Sequence, residues 1–361
     1  MDLANRNLPG VLIDKDGSAI TTPEAWYARA DELRTLIENE EYGKLPERDI
    51  VCTYKQTDYN DHTFHAGRST IRTIEVTSSC GGDEHKWHFH LALPKSDKPV
   101  PVLLHIEFSP HYAVHTVPVE IICSRGYGYG MISYEEVTAD NEDFTDGIAR
   151  LFYPDGQRNE HDGGKIAMWA WSMKRAMDYI ETLPEVDKEK VAAVGHSRLG
   201  KTALWCAATD KRFWCAAPNC SGCSGASISR GNTGEQIWQI TEKFPFWFAK
   251  AYQKYNHDVE ALPFDQHQVI ALVAPRHVYV ISGSKDSWAD PVSEYLGSVA
   301  ASPVWELLGK KGVELREEAE IGEDCELNAG DIGYQRHEGT HFIGLPDWTR
   351  IMNFLDEKRS F

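Results

Sequence analysis

The chain has 361 residues, a formal charge of −18 at pH 7 and 42% hydrophobic residues. That acidity excludes nucleic acid and anionic membrane surfaces as partners, since either would need a basic face, and no run approaches the ~18 apolar residues of a membrane span. Eight cysteines lie far below the density of a disulfide scaffold, and the length suits one large α/β domain with a sizeable core.

No basic stretch followed by an apolar one opens the sequence. As given, the chain is therefore expected in the cytoplasm, or outside the cell if a signal has been removed from it. Residues 1–50 read as an N-terminal lead, in which Thr22 caps a helix with Pro23 in its first turn. The amphipathic pattern continues to about Asn39. Between about 50 and 93 come β-type alternations, at 68–76 and 86–93, ended by Pro94. The turn 97–101 leads into an apolar strand at 102–106, and another strand follows near 130–134. A long polar, glycine-containing stretch fills 135–164. The helix predicted over 165–183 stops at Leu183-Pro184, because a residue before proline avoids the α region.

A valine-rich strand from 191 then enters a small-residue turn at 195–197, and an Ala/Leu helix follows. The next strand is at 213–218. Residues 219–268 are irregular, with Trp238, Phe244, Phe246, Trp247 and Phe248 crowded together and read as core filling. A buried strand at 277–281 carries the loop 283–290, with a helix starting at Pro291. A strand near 331–336, a loop at 338–341 and a helix from about Pro346 close the chain. From 102 onward strands alternate with helices, which predicts parallel βαβ units. With no internal repeat and no linker, the whole chain 1–361 reads as a single domain.

Residues 191–201 read Val-Ala-Ala-Val-Gly-His-Ser-Arg-Leu-Gly-Lys. Strand, sharp turn and helix form the setting of a nucleophile elbow, which lifts the Ser197 hydroxyl clear of the backbone. The helix N-terminus behind it offers unpaired N–H groups to a developing oxyanion. The usual spelling is G-x-S-x-G, whereas here Leu199 occupies the second glycine position and Gly200 comes one step later. A serine nucleophile needs a base and an acid that fixes the base's tautomer. In α/β-hydrolases they follow in the order Ser, acid, His on loops at strand C-termini, and Asp286 and His341 satisfy both conditions. His337 falls at the end of its strand, and Asp290-Pro291 reads as a helix cap. His196 reads as local packing.

Metal chemistry is not expected. Cys220-Ser-Gly-Cys223 is a lone C-x-x-C without a second pair at zinc spacing. The histidines at 85, 88 and 90, and at 105, 111 and 115, have no helical H-E-x-x-H beside them. No cofactor is implied.

The string Gly-His-Ser-Arg-Leu-Gly-Lys resembles the signature of the glucuronoyl esterases of carbohydrate esterase family fifteen, in which arginine follows the serine and glycine comes at the third position. Similar segments are 26–29, 41–46, 262–267, 274–276 and 287–291. The resemblance implies an α/β-hydrolase three-layer sandwich with a mostly parallel central sheet. It also implies that Ser197 attacks the C6 ester carbonyl of a glucuronate unit on xylan, with His341 as base and then acid. Arg198 then supplies its backbone N–H and guanidinium to the oxyanion. Lys201 and Trp288 match positions that hold the sugar, with Glu235 and Gln236 nearest to the family's hydroxyl contacts and Phe244 near a polar slot.

The chain departs from the family at two places that matter, the sugar contacts, where Phe244 falls at a polar slot, and the triad acid. Many members carry a catalytic glutamate 23 residues after the serine, and Cys220 stands there, so the acid falls to Asp286. The expected activity is glucuronoyl ester cleavage through an acyl-enzyme, with a carbohydrate ester derived from glucuronoxylan as partner. The alternatives are an acetyl xylan esterase or other small-acyl carboxylesterase on the same machinery, and a non-catalytic sugar-binding protein. The intact Ser, Asp, His order speaks against the last.

Overall fold

The computed structural model describes residues 3–109, 117–317 and 321–359. Its first three strands, β1 (Val51–Asn60), β2 (Ser69–Cys80) and β3 (Asp83–Pro94), form an antiparallel meander. β4 (Val100–Glu107), β5 (Gly128–Ser133), β6 (Val186–His196), β7 (Phe213–Asn219) and β8 (His277–Gly283) pair in parallel. The short β9 (Cys325–Leu327) runs antiparallel to β10 (Ile332–His337), which is itself parallel to β8. All ten form one sheet in the order β1-β2-β3-β5-β4-β6-β7-β8-β10-β9.

The sequence explains which strands lie where. Every residue of β4 and β5 is buried, as expected for strands covered on both faces, which read as unbroken apolar runs. β2 alternates between buried and half-buried positions. β1, at the open edge, is mostly exposed and carries little apolar signal, and for that reason it escapes a periodicity reading. The three-residue β9 escapes it for want of length.

Helices cover both faces. On one side the helices Lys165–Ile180, Arg198–Thr209 and Pro291–Leu307 join the larger apolar cluster. On the other, Trp348, Ile351, Met352, Phe354 and Leu355 of the helix Leu345–Lys358 pack over Tyr129, Val194 and Tyr279. Fully burying each such side chain contributes about 1.5–3 kcal/mol before the entropy of ordering it. This is the α/β-hydrolase sandwich.

The N-terminal lead is built into that core. Thr22 accepts a hydrogen bond from the Ala25 N–H, capping the helix Pro23–Ile37. Trp26, Leu33 and Ile37 of that helix are buried. Beyond it, Tyr42 stacks on Trp205 of the elbow helix at 4.4 Å and donates to the Ser224 carbonyl at 2.9 Å. The helix predicted to reach 183 ends at Ile180. The stretch read as irregular holds two short helices, Ile237–Lys243 and Gln266–Ala271. His111 and His115 lie outside the described residues.

Candidate active site

Ser197 has φ 59° and ψ −126°, a region that typically costs an L-residue about 1–3 kcal/mol. The surroundings hold it there. Its N–H donates to the Asn219 carbonyl at 2.8 Å, tying the turn to the end of β7. A Cβ on Gly195 would stand 2.0 Å from the Leu199 oxygen, and one on Gly200 would stand 3.0 Å from the Asn219 oxygen. These two contacts explain the unusual spelling. Position 200, not the buried 199, faces the neighbouring strand and requires glycine.

The acid and base come from two strand ends further along the sheet, beyond β7. Asp286 follows β8, His341 follows β10, and His341 Nδ1 lies 2.6 Å from Asp286 Oδ2. Asp286 is 5% exposed, and its other oxygen accepts the Ala289 N–H at 3.3 Å. Burial pushes the Asp286 carboxyl up, but the hydrogen bond and charge of His341 outweigh it and leave the group below its ordinary range. It is therefore an anion at neutral pH, able to fix the imidazole tautomer.

The rivals have other work. His337 has both ring nitrogens engaged, Nδ1 with Asp347 at 2.9 Å and Nε2 with the Thr340 carbonyl at 3.1 Å. Burial alone would lower its pKa, yet Asp347 raises it above the ordinary value, and an imidazolium donating at both ends matches that. Asp290 caps the helix Pro291–Leu307, accepting from the Ser293 N–H at 3.0 Å, and also takes the Thr233 N–H at 2.8 Å. His196 Nδ1 donates to Asn219 Oδ1 at 2.5 Å, and its ring packs 4.5 Å from that of His341. Burial drives the His196 pKa down to about 4, so the neighbour of His341 is neutral and does not oppose a charge forming on it.

Arg198 opens the elbow helix, and its guanidinium is held on three sides. It lies 4.6 Å from the Trp247 ring centre, 5.4 Å from Phe244 and 5.6 Å from Phe108. Asp140 pairs with its Nη1, and the second Asp140 oxygen accepts the Trp247 indole N–H at 2.6 Å. Phe244 and Trp247 stack at 3.8 Å with planes 3° apart. Arg198 Nε is buried and has no hydrogen-bond partner among the described residues. A fixed, under-used cation beside a nucleophile can meet charge that develops only during reaction.

Sequence reasoning missed Asp140, which sits in the polar stretch 135–164 with no motif around it. Trp247 was read as core, and it is 3% exposed. It nevertheless also forms a wall of the site. Neither position carries a periodic or spacing signal that separates it from its neighbours.

The cavity measures about 330 Å³. Ser197, Arg198, Asp286 and His341 line it together with Lys201, Glu235 and Trp288. Lys201 is buried and donates to the Ser221 carbonyl, while Trp288 is 54% exposed at the rim. Glu235 is tied beside it through its N–H to the Trp288 carbonyl at 2.8 Å. Gln236 is placed differently from the other expected site residues. Its amide donates to the Asn232 and Gly234 carbonyls and its N–H to Gln239, so it caps the helix Ile237–Lys243 outside the cavity wall.

The C-x-x-C residues do not act as a pair. Cys223 Sγ contacts Ser224 Oγ at 3.8 Å within the core, whereas Cys220 lies in the cavity wall. Burial, with Glu294 and Asp286 nearby, pushes the Cys220 thiol well up, so it is protonated and cannot stand in for a carboxylate. Beneath it, Glu294 accepts from Ser221 Oγ, the Gly222 N–H and Ser282 Oγ at 3.0, 2.9 and 2.6 Å.

A hydroxyl on a strained elbow, an imidazole fixed by an anionic acid, and a clamped guanidinium share one cavity. That arrangement suits acyl transfer through a serine.

Comparison with known proteins points the same way. The family model described as glucuronyl esterase, fungi, matches residues 76–309. A carbohydrate esterase, MZ0003, from an unknown prokaryotic organism is 32% identical over 97% of this chain and 89% of its own length. A 4-O-methyl-glucuronoyl methylesterase from Wolfiporia cocos is 26% identical over 84% of this chain and 73% of its own. The solved structure of a glucuronoyl esterase from Solibacter usitatus matches with a TM-score of 0.90 at 33% identity, covering 98% of each chain.

Proposed function

The chain belongs to the glucuronoyl esterase family of carbohydrate esterases and is a carboxylic ester hydrolase; from that premise we propose that it cleaves esters of glucuronic acid, or of its 4-O-methyl ether, on xylan-derived sugars through an acyl-enzyme on Ser197. The observation that carries this reading is the 2.6 Å His341–Asp286 contact in the cavity that Ser197 and Arg198 also line.

His341, neutral and with its Nδ1–H held by Asp286, takes the Ser197 proton as the oxygen attacks the C6 carbonyl. The negative charge gathers on the carbonyl oxygen. The Arg198 N–H at the start of its helix and the guanidinium meet it there, in a site that needs no rearrangement at that moment. His341 then gives the proton to the departing alcohol. A water molecule repeats the sequence on the acyl-enzyme and releases the carboxylate. Lys201 and Glu235 offer a donor and an acceptor to the sugar hydroxyls, and Trp288 offers its exposed face to the ring.

Phe244, stacked on Trp247, is an apolar wall where the family's sugar contacts are polar, and it favours one second reading, a small-acyl carboxylesterase. A substrate panel separates the two. Methyl and benzyl glucuronate are compared by kcat/KM with 4-nitrophenyl acetate and acetylated xylan. Preference for the glucuronate esters is expected, and a preference for acetyl esters would replace the first reading with the second.

A further inference from the structure

Cys220 follows the last residue of β7, one strand away from the loop of Asp286. A sulfur, a carboxylate oxygen and an imidazole nitrogen, one each from Cys220, Asp286 and His341, lie within 4.8 Å of one another. Among the described residues this is the only such group of three or more metal-binding side chains. All three line the 330 Å³ cavity, which gives an ion a route to them.

We propose that Cys220, Asp286 and His341 form an inhibitory binding site for Zn²⁺ or a similar borderline-soft divalent cation. Zinc takes thiolate sulfur at ≈ 2.3 Å and imidazole nitrogen or carboxylate oxygen at about 2.0–2.2 Å. In a tetrahedron those bonds place the donor atoms roughly 3.3–3.7 Å apart. Closing the present cluster onto an ion therefore asks for side-chain shifts on the order of 1 Å. Mg²⁺ and Ca²⁺ are excluded as occupants, because they demand oxygen ligands in larger number.

Binding releases one proton and changes no oxidation state. The Cys220 Sγ–H leaves to solvent, the His341 ring proton shifts from Nδ1 to Nε2 by exchange with solvent, Asp286 contributes its carboxylate as it stands, and water completes the fourth position. The consequence for catalysis is direct. The imidazole–carboxylate hydrogen bond is exchanged for metal bonds, and Nε2 now carries the ring proton, so it no longer accepts the serine proton.

Two measurements test the site. In the first, ester turnover is titrated with Zn²⁺ for wild type, Cys220→Ala and Cys220→Ser, each normalised to its own metal-free rate. Inhibition reversed by EDTA and weakened at least about tenfold in both variants is expected. In the second, Cd²⁺ is added to Ser197→Ala, which keeps all three ligands, and to the same variant also carrying Cys220→Ala. The ultraviolet charge-transfer band of a cadmium–thiolate bond is expected in the first and reduced in the second. The inhibition arm rests on the serine-esterase reading. The spectral arm does not, so the two ideas fail separately. Equal Zn²⁺ sensitivity in the cysteine variants, or equal bands, overturns the site.

Discussion

His341 Nδ1 lies 2.6 Å from Asp286 Oδ2, while Asp290, four residues further along, turns its carboxylate to Ser293 and Thr233. Two neighbouring acids therefore hold different partners, one the cavity's imidazole and the other a helix N-terminus and the Thr233 loop. Asp286→Asn, isosteric but unable to enforce the tautomer, is expected to lower kcat by up to about 10⁴. Asp290→Ala is expected to keep kcat within a few-fold and to cost about 1 kcal/mol of stability through the lost cap. Steady-state rates and melting curves on the two purified variants check both. A well-folded but inactive Asp290→Ala would move the acid along the loop.

Ser197→Ala is expected to abolish turnover and leave the fold in place, since alanine loses only the hydroxyl at this left-handed position. Circular dichroism and labelling by a serine-reactive phosphonate accompany the assay. A rate within tenfold of wild type removes Ser197 from the mechanism.

Arg198→Lys keeps the charge but loses the planar fork, and losing an oxyanion donor typically costs about 10²–10³ in kcat. Asp140→Asn still offers an oxygen to the Trp247 indole but no charge to Arg198, and its effect on kcat is expected to be about tenfold. Because Asp140 acts through Arg198, the two losses are not additive. A double-mutant cycle in kcat, with KM followed separately, reads this. Full additivity would detach Asp140 from the arginine.

Stability is expected to peak near pH 6.5. Burial raises Glu294 to about 7 and Glu41 to about 8. From about 4.3, where unfolded glutamate ionises, up to those values the folded state holds protons that the unfolded chain has lost, so stability falls as pH rises. Burial drives His196 and His277 down to about 4, and His105 and His267 are also lowered. Below about 6.5 the unfolded chain binds protons that these buried rings refuse, so stability falls as pH drops. Four histidines outweigh two glutamates on the acid side, and above 6.5 the glutamates are joined by His337, whose raised pKa makes it lose stability in the same direction. Each group contributes up to about 1.4 kcal/mol per pH unit. Melting temperatures from pH 5 to 8.5 check the dome, and Glu41→Gln should flatten its alkaline limb.

The elements that position chemistry were legible because their residues obey strong local rules. Val191 to Gly195 could only be a buried strand end, and Ser197, Asp286 and His341 each sit in a loop that a strand had just left. What stayed hidden has no local signature. Asp140 reaches Arg198 across 58 positions of chain, and Trp247 is buried like a core residue while forming a wall of the cavity. Gln236 looked like a sugar contact because its type fits, yet the helix it opens had already claimed its amide. Chain proximity does not reveal such claims; only packing does.

The cavity's cations, Arg198, Lys201 and Lys243, belong to a body of charge −18. An ester of a sugar acid approaches without charge and feels little of the distant field. The carboxylate released by hydrolysis does feel it. Arg198 is already partly neutralised by Asp140, Lys201 is tied to a carbonyl, and Lys243 is exposed to screening solvent over the Phe244 ring, so none holds the new anion with its full strength. The surrounding acidity then repels the product over roughly a Debye length, about 10 Å at 0.1 M salt. Entry and exit are in this way electrostatically unequal, and added salt should slow the outward step more than the inward one.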